Sequence, residues 1–491
     1  LRCCLITDHR LIGAAMCSAS EVAPCIPHHW KDLGDHIFKR SSIFYGSMSD
    51  LGSGGTVAPT FRAEMWDQIY FFLRHLNDLK GQIVLQLDGR LDEQRLQRAA
   101  RLTLDAHPIL GCRFVERGWS PRWERMDDPD GGDHFHMSTR THGDDEYPDA
   151  IFHQGLKPNE GPQLQVLVLR GKTDEVCVLM NHMVGDAHSV VSCANTLARI
   201  YRRLGEDPDF RPVPIIENRA AGQVLNELDL PTRMRLWGHN PFKPRGNRAW
   251  RLPMDLGDED HPFGMVRTFK SGRLDAVRDF GKSRGATVND VILAAYFRAV
   301  HRVVGEDGRQ NKRILVNTGM RQYLKRTPAA EIANLSDFVY CSIGKDIGSG
   351  LDGTLALVKE EMDRQKNAYP GLHGLAFREI VFSLAPYSLL KAKVMKMAPP
   401  QKGHDRKNVG LPPSLSNLGV LDGRCPDFGD VGVMNFYQPG PVNFPPSLQM
   451  AVSTFRDRLT LCSNSLESKA GGRNRSIIND IYDNMEEELP D

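Results

Sequence analysis

The stretch Asn181-His182-Met183-Val184-Gly185-Asp186-Ala187 puts an imidazole and a carboxylate four residues apart. A histidine that ends a buried strand, followed by a carboxylate just before a helix, is held rigidly and poorly solvated, as a general base must be. The bare pattern His-x-x-x-Asp is weak, because it recurs at His28 to Asp32. Pro24 and Pro27 precede that copy, so no clean strand presents it. A histidine at a strand end is more often structural than catalytic, and the surrounding elements must decide the case of His182.

Two apolar runs lead up to His182, Leu164 to Leu169 and Val176 to Met180, separated by the turn-prone Gly171-Lys172-Thr173-Asp174. This pattern predicts a β-hairpin. After Asp186, Val190, Cys193, Ala194, Leu197, Tyr201 and Leu204 recur at helical spacing, with Arg199, Arg202 and Arg203 largely outside that stripe.

The chain has 491 residues, enough for two or three domains or one large two-lobed unit. Sixty-two basic against 61 acidic residues leave a formal charge of +1, which favours neither a nucleic acid nor an anionic membrane. No run reaches the ~20 apolar residues of a membrane-spanning helix; Val291 to Phe297 is broken by Arg298, His301 and Arg302. The ten cysteines have neither zinc-site spacing nor the density of a disulfide scaffold. Cys112, Cys177, Cys193, Cys341 and Cys462 lie in apolar contexts, and reduced core thiols of this kind point to the cytoplasm. Leu1 is not a methionine, so the natural start is expected upstream, and Leu11 to Met16 is too short for a signal peptide.

Residues 1–60 are the least interpretable; Cys3-Cys4, Cys17 and Cys25 near His28-His29 fit no metal spacing, and Ser47 to Ser53 with Gly54 and Gly55 reads as a flexible linker. Order is expected from about Met65, with a strand over Gln82 to Leu87 and a helix capped by Asp92 that turns Leu96, Ala99 and Ala100 inward. Asp127 to Asp149 reads as an acidic surface loop whose His134 and His136 are solvated, and no metal site is expected. A first lobe over 61–240, a Pro- and Gly-containing crossover over 241–264, a second lobe over 265–470 and an acidic tail over 471–491 follow from the composition shifts. In the second lobe Thr287 to Asp290 caps a long helix, Arg313 to Asn317 and Phe338 to Ile343 are strands, Leu351 to Asn367 is helical, and a last hairpin turns at Arg456-Asp457. Two lobes mixing strands and helices without strict βαβ alternation define an α/β (α+β) protein.

These segments together resemble the superfamily with the His-His-x-x-x-Asp-Gly motif: chloramphenicol acetyltransferases, condensation domains of peptide synthetases, wax ester synthases, and alcohol and plant acyltransferases. Beyond His182 and Asp186, the resemblance is carried by Gly285-Ala286-Thr287-Val288-Asn289-Asp290-Val291 and by Val316 to Leu324, a strand-and-Arg segment. Ala333-Asn334-Leu335-Ser336 and Ser416-Asn417-Leu418-Gly419 also match, and the order fits over roughly Met65 to Ser468. The departures are Asn181 for the first His, Ala187 for the Gly, Gly111 with Arg113 nearby where an Arg often follows His-Pro-x-Leu, and Asp430 for the Trp that follows Asp-Phe-Gly in plant members.

The resemblance implies two chloramphenicol acetyltransferase-like lobes forming a pseudo-dimer, with His182 midway along a channel between them. It implies an O- or N-acyltransferase that moves an acyl group from acyl-coenzyme A or an acyl-carrier protein to an alcohol or amine, with His182 as general base. Asp186 would orient rather than react, with Arg321 its expected partner; Ser416 or Asn417 would donate to the oxyanion, and Asn289 and Asp290 would cap a helix. No cofactor is held permanently; the acyl thioester, on coenzyme A or phosphopantetheine, is a co-substrate acting in trans. Two other readings compete. Gly281-Lys282-Ser283-Arg284-Gly285 fits a nucleophile elbow, but it ends an amphipathic helix instead of a strand. Asn181 and Gly111 suit a catalytically degenerate condensation-like module that binds a carrier protein or acts as a scaffold, a reading that intact His182 and Asp186 oppose.

Overall fold

The computed structural model describes residues 60–236, 250–255, 260–306, 311–326, 329–397, 412–468 and 472–491. The expectations for residues 1–59 and for most of the crossover lie outside the described residues. β1 (Thr60–Arg62) leads into α1 (Met65–Leu73), and β2 (Lys80–Leu87) follows. Asp92 accepts the Arg95 amide and so caps α2 (Glu93–Ala106). β3 (Cys112–Val115), β4 (Arg122–Arg125) and β5 (Phe135–Thr139) precede the hairpin of β6 (Leu164–Arg170) and β7 (Asp174–Asn181), then α3 (Ala187–Glu206) and a short α4 (Leu230–Arg235). The second half runs β8 (Asp260–Thr268), α5 (Arg273–Lys282), α6 (Val288–Val304), β9 (Lys312–Gly319), β10 (Ser336–Gly344), α7 (Gly350–Lys366), α8 (Leu375–Leu384) and α9 (Tyr387–Met397). It closes with β11 (Ser414–Val420), β12 (Val433–Tyr437), β13 (Gln449–Phe455), β14 (Arg458–Ser468) and α10 (Asn474–Glu488).

Among the described residues the strands form a small sheet β1-β4-β3, a sheet β12-β2-β7-β6-β5 and a sheet β10-β9-β11-β13-β14-β8. β7 is buried along its whole length because each of its faces meets a core. Val176, Val178 and Met180 point into the first core beneath α3, while Cys177 and Leu179 meet Tyr437, Ala451 and Cys462 from the second half. A strand covered on both sides reads as one continuous apolar run, which is why the period-2 alternation is missing there. At the last hairpin Arg456 and Asp457 both take positive φ, 47° and 62°, a geometry that continues the twist of β13 and β14.

Several expectations are corrected. Asp127 to Asp149 is not simply a loop: β5 runs through it as an edge strand parallel to β6, and His134 is buried. The segment expected as an acidic tail is α10, whose Ile477, Ile478, Ile481, Tyr482 and Met485 are buried against the second core. Glu486 and Glu487 are exposed on the other face, whereas the Glu488 carboxylate is buried against α6 and pairs with Arg298 at 2.6 Å. The second lobe begins earlier than 265, since β8 starts at Asp260 and Trp250, Leu252 and Met254 are already in its core. The two-lobe division is also crossed, because β12 pairs with β2 in the first sheet. Leu372, Tyr387, Leu390 and Phe428 join the first core as well. Among the described residues no helix is long and apolar enough to cross a membrane.

Ile481→Ala should lower unfolding free energy by about 2–5 kcal/mol in chemical denaturation, whereas Glu487→Gln on the outer face should change it by under about 1 kcal/mol.

Candidate active site

His182 begins the turn that connects β7 to α3, and its amide donates to Leu79 O at 2.7 Å. Asn181, the last residue of β7, is buried and fully employed: Nδ2 donates to Gln163 Oε1 at 2.8 Å and Oδ1 accepts the Met183 amide at 3.0 Å. Its side chain therefore shapes the turn and does not face a substrate. Gly185 is required by close packing, since a Cβ there would lie 2.5 Å from Ser189 Cβ. The tight turn leaves the His182 ring half-buried and stacked on Tyr70 of α1, with centroids 4.4 Å apart and planes 27° from parallel. Burial holds the imidazole below its ordinary pKa, with the Asp186 charge among the groups that oppose it, so the ring is neutral at pH 7.

Asp186 is the N-cap of α3, Oδ1 accepting the Ser189 amide at 3.2 Å. Its Oδ2 accepts from Arg321 Nη1 at 2.5 Å and from the Leu335 amide at 2.9 Å. Burial by itself would raise this carboxyl, but the Arg321 charge, its hydrogen bond and the Leu335 amide together hold it below the ordinary carboxylate value. Arg321 stands on a single 3-10 turn directly after β9. Its Nη2 also donates to Ala333 O at 3.1 Å. Asn334 Nδ2 donates to the carbonyls of His182 and Met183, both at 2.9 Å. Elements far apart in sequence thus fasten the turn from two sides.

A second buried ion pair is not foreshadowed by any motif. Arg219, in the irregular stretch after α3, grips both Asp67 oxygens at 2.8 and 3.0 Å. The same guanidinium donates to Val184 O at 3.0 Å and Ile332 O at 3.2 Å, and Trp123 Nε1 donates to Asp67 at 2.7 Å. Asp67 and Tyr70 lie one turn apart on α1, so this pair also sets the helix that stacks on His182. A charged residue in a loop without periodicity carries no sequence signal, and Tyr70 is one aromatic among the largely apolar residues of α1.

β11 pairs with β9 only at Ser414 and Leu415, then stays with β13 alone through Asn417. Ser416 and Asn417 therefore sit where the sheet opens, both half-buried, and neither hydrogen-bonds His182. Asn417 Nδ2 donates to Asn289 Oδ1 at 3.1 Å. That corrects the capping role expected of Asn289: Thr287 is the N-cap of α6 and Asp290 closes the box. At Gly111, directly after His107-Pro108-Ile109-Leu110, the Arg125 guanidinium covers the backbone and donates to Leu104 O at 2.9 Å and Pro108 O at 2.8 Å. Ser283 follows α5 and donates to Phe280 O at 2.8 Å, an arrangement with no nucleophile elbow.

No family model matches the chain. Over 233 residues it is 26% identical to surfactin synthase subunit 1 of Bacillus subtilis, covering 45% of this chain and 6% of the synthase. It is also 26% identical over 218 residues to an uncharacterized protein of Mycobacterium tuberculosis, covering 44% of this chain and 50% of that protein. The match thus spans half or less of these relatives' own length. Among solved structures, the trichothecene 15-O-acetyltransferase TRI3 of Fusarium sporotrichioides superposes with a TM-score of 0.61 at 13% identity, over 88% of this chain and 96% of that one. Polyketide synthase associated protein 5 of Mycobacterium tuberculosis gives 0.59 at 12% identity, over 89% and 98%. The first condensation domain of the CDA synthetase gives 0.57 at 16% identity, again over 89% and 98%. The chain has the chloramphenicol acetyltransferase-like fold of condensation domains and related acyltransferases. Within that class its likeness extends to an acetyltransferase and to a synthetase's condensation domain alike.

Arg321→Ala would leave Asp186 buried and unpaired, and should destabilise the protein by about 3–5 kcal/mol. Because the folded Asp186 pKa is depressed, its contribution in the wild type is complete above the ordinary carboxylate value and is lost as pH falls through the depressed one. Denaturation from pH 7 to pH 3 should accordingly show the gap between wild type and variant narrowing on the acid side.

Proposed function

We propose that the protein is an acyltransferase that moves an acyl group from a thioester to an alcohol or amine, with His182 as general base and Asp186 as its positioning residue. The observation that carries this reading is a neutral, half-exposed imidazole stacked on Tyr70, in a turn fastened by both halves of the chain. The His182 imidazole would take the proton of the acceptor O–H or N–H as that atom attacks the thioester carbonyl. The tetrahedral oxyanion then collapses, the C–S bond breaks, and the imidazolium returns its proton to the departing thiolate. Every bond is accounted for without an acyl-enzyme, so no nucleophilic serine or cysteine is needed.

Asp186 is unsuited to act as a second base, because its oxygens are engaged by Arg321 and the Leu335 and Ser189 amides and its pKa is depressed. Ser416, at the opening between β9 and β11, is the better oxyanion candidate, since Asn417 already spends an amide hydrogen on Asn289. The donor would be acyl-coenzyme A or an acyl-phosphopantetheine on a carrier protein, arriving in trans. The buried free thiols of Cys112, Cys177, Cys193, Cys341 and Cys462 fit a reducing compartment such as the cytoplasm.

Thiol release from a generic acyl thioester, measured with an acceptor alcohol or amine, tests the reading. His182→Ala should lower kcat/KM by about 10²–10⁴-fold. In the wild type kcat/KM should fall as pH drops through the lowered imidazole pKa, since only the unprotonated ring accepts a proton. Equal rates in wild type and His182→Ala would sink the proposal in favour of a degenerate carrier-binding module.

A further inference from the structure

We infer that the Tyr70 hydroxyl is a catalytic hydrogen-bond donor, binding the carbonyl oxygen of the thioester as that atom becomes an oxyanion. This rests on acyl transfer at His182 as proposed above, and it adds a donor from the first half of the chain to Ser416 from the second. Among the aromatic residues of α1, Trp66, Phe71 and Phe72 are buried, whereas Tyr70 is half-buried with its ring stacked on His182. Packing explains that ring but not its oxygen, because a phenylalanine would stack on the imidazole equally well. Tyrosine hydroxyls closed off from water usually find a partner. Among the described residues the Tyr70 hydroxyl meets no protein acceptor, and it is not sealed from solvent.

The other side chains that could donate near the ring are engaged. Asn334 Nδ2 serves the carbonyls of His182 and Met183, and Asn181 Nδ2 serves Gln163. Arg321 holds Asp186 and Ala333 O, while Arg219 holds Asp67 and Val184 O. An attacking atom that gives its proton to His182 lies in the plane of the imidazole, within reach of a ring nitrogen. A hydroxyl on a ring stacked over one face lies outside that plane, clear of the nitrogen lone pair and on a side from which the attacked carbonyl can be met. Burial, with the Asp186 and Asp337 charges adding to it, holds the phenol above its ordinary pKa, so it remains a donor and does not compete with His182 as a base. Both carboxylates are paired, Asp186 with Arg321 and Asp337 with Arg378, so an oxyanion beside the phenol meets no bare negative charge. Tyr70 transfers no proton: the one taken by His182 from the acceptor goes to the thiolate, and the phenol keeps its own while the C–S bond breaks.

The test is Tyr70→Phe in the full chain, which keeps the stacked ring and removes one oxygen, with folding checked by circular dichroism. Acetyl-coenzyme A serves as donor and a simple alcohol or amine as acceptor, and thiol release gives kcat and KM. The variant should lose about 10²–10³-fold in kcat, the cost of removing one oxyanion donor. KM for the thioester should hardly change, because the bond is made in the transition state. The acid limb of the kcat/KM profile should stay in place, since the stack that buries His182 is preserved. Three results overturn the inference while leaving the base proposal intact. Wild-type kcat reduces Tyr70 to packing, a rise in KM alone makes its hydroxyl a ground-state contact, and a displaced acid limb means that it acts through the imidazole. Thiol release in His182→Ala equal to that of the wild type removes the base proposal instead, and Tyr70→Phe, scored against the wild-type rate, still decides for or against the hydroxyl.

Discussion

The Asp186–Arg321 pair is the constraint on which the site depends. It joins the N-terminus of α3 to the segment after β9, and the Leu335 amide adds a third contact to the same carboxylate. A buried ion pair contributes little net stability, because desolvating both charges offsets most of their attraction. Its value lies in register, since an unpaired charge at that depth is far costlier than any local rearrangement. With Asp186 fixed at one end of the turn and Leu79 holding the His182 amide at the other, the imidazole has few positions open to it.

The same logic runs through the interface between the halves. Arg219 ties α1 to the carbonyls of Val184 and Ile332, and Asn334 ties its own segment to the carbonyls of His182 and Met183. Gln438, just after β12, donates to Ala187 O at 2.8 Å. Most of these bonds end on backbone carbonyls that a tight turn between strand and helix leaves without ladder partners. The second half of the chain therefore supplies the satisfaction that the His182 turn cannot find locally. Such satisfied polar networks specify a unique arrangement more than they add stability.

The crossing of β12 into the first sheet has a related cause. Without it β2 would be a long, buried-type edge strand, Lys80–Leu87, with unpaired backbone groups along one side. Pairing Val433–Tyr437 with it removes that edge and carries Phe436 into the first core. A division of the chain at residues 241–264 describes the order of synthesis but not the packing, because the first core is completed by residues after 320.

The amino-acid sequence by itself determined the elements whose apolar period is strong and whose ends are capped locally. The β6–β7 hairpin, α3 with its stripe, the Asp92 cap of α2, the Thr287 cap of α6 and the last hairpin all follow from contacts within a few residues. The pairing of Asp186 with Arg321 was also legible, through the resemblance of the segments that carry them. Tertiary structure alone decided the rest. β5 is half polar because it is a sheet edge, and α10 looks like an acidic tail because Glu486 and Glu487 line the outer face of a helix whose inner face is largely apolar. Arg219, Tyr70 and Asn334 acquire their roles from partners 35 to 152 residues away. Local periodicity records which face a residue presents, but not what meets that face, and at His182 the meeting surfaces come from both halves of the chain.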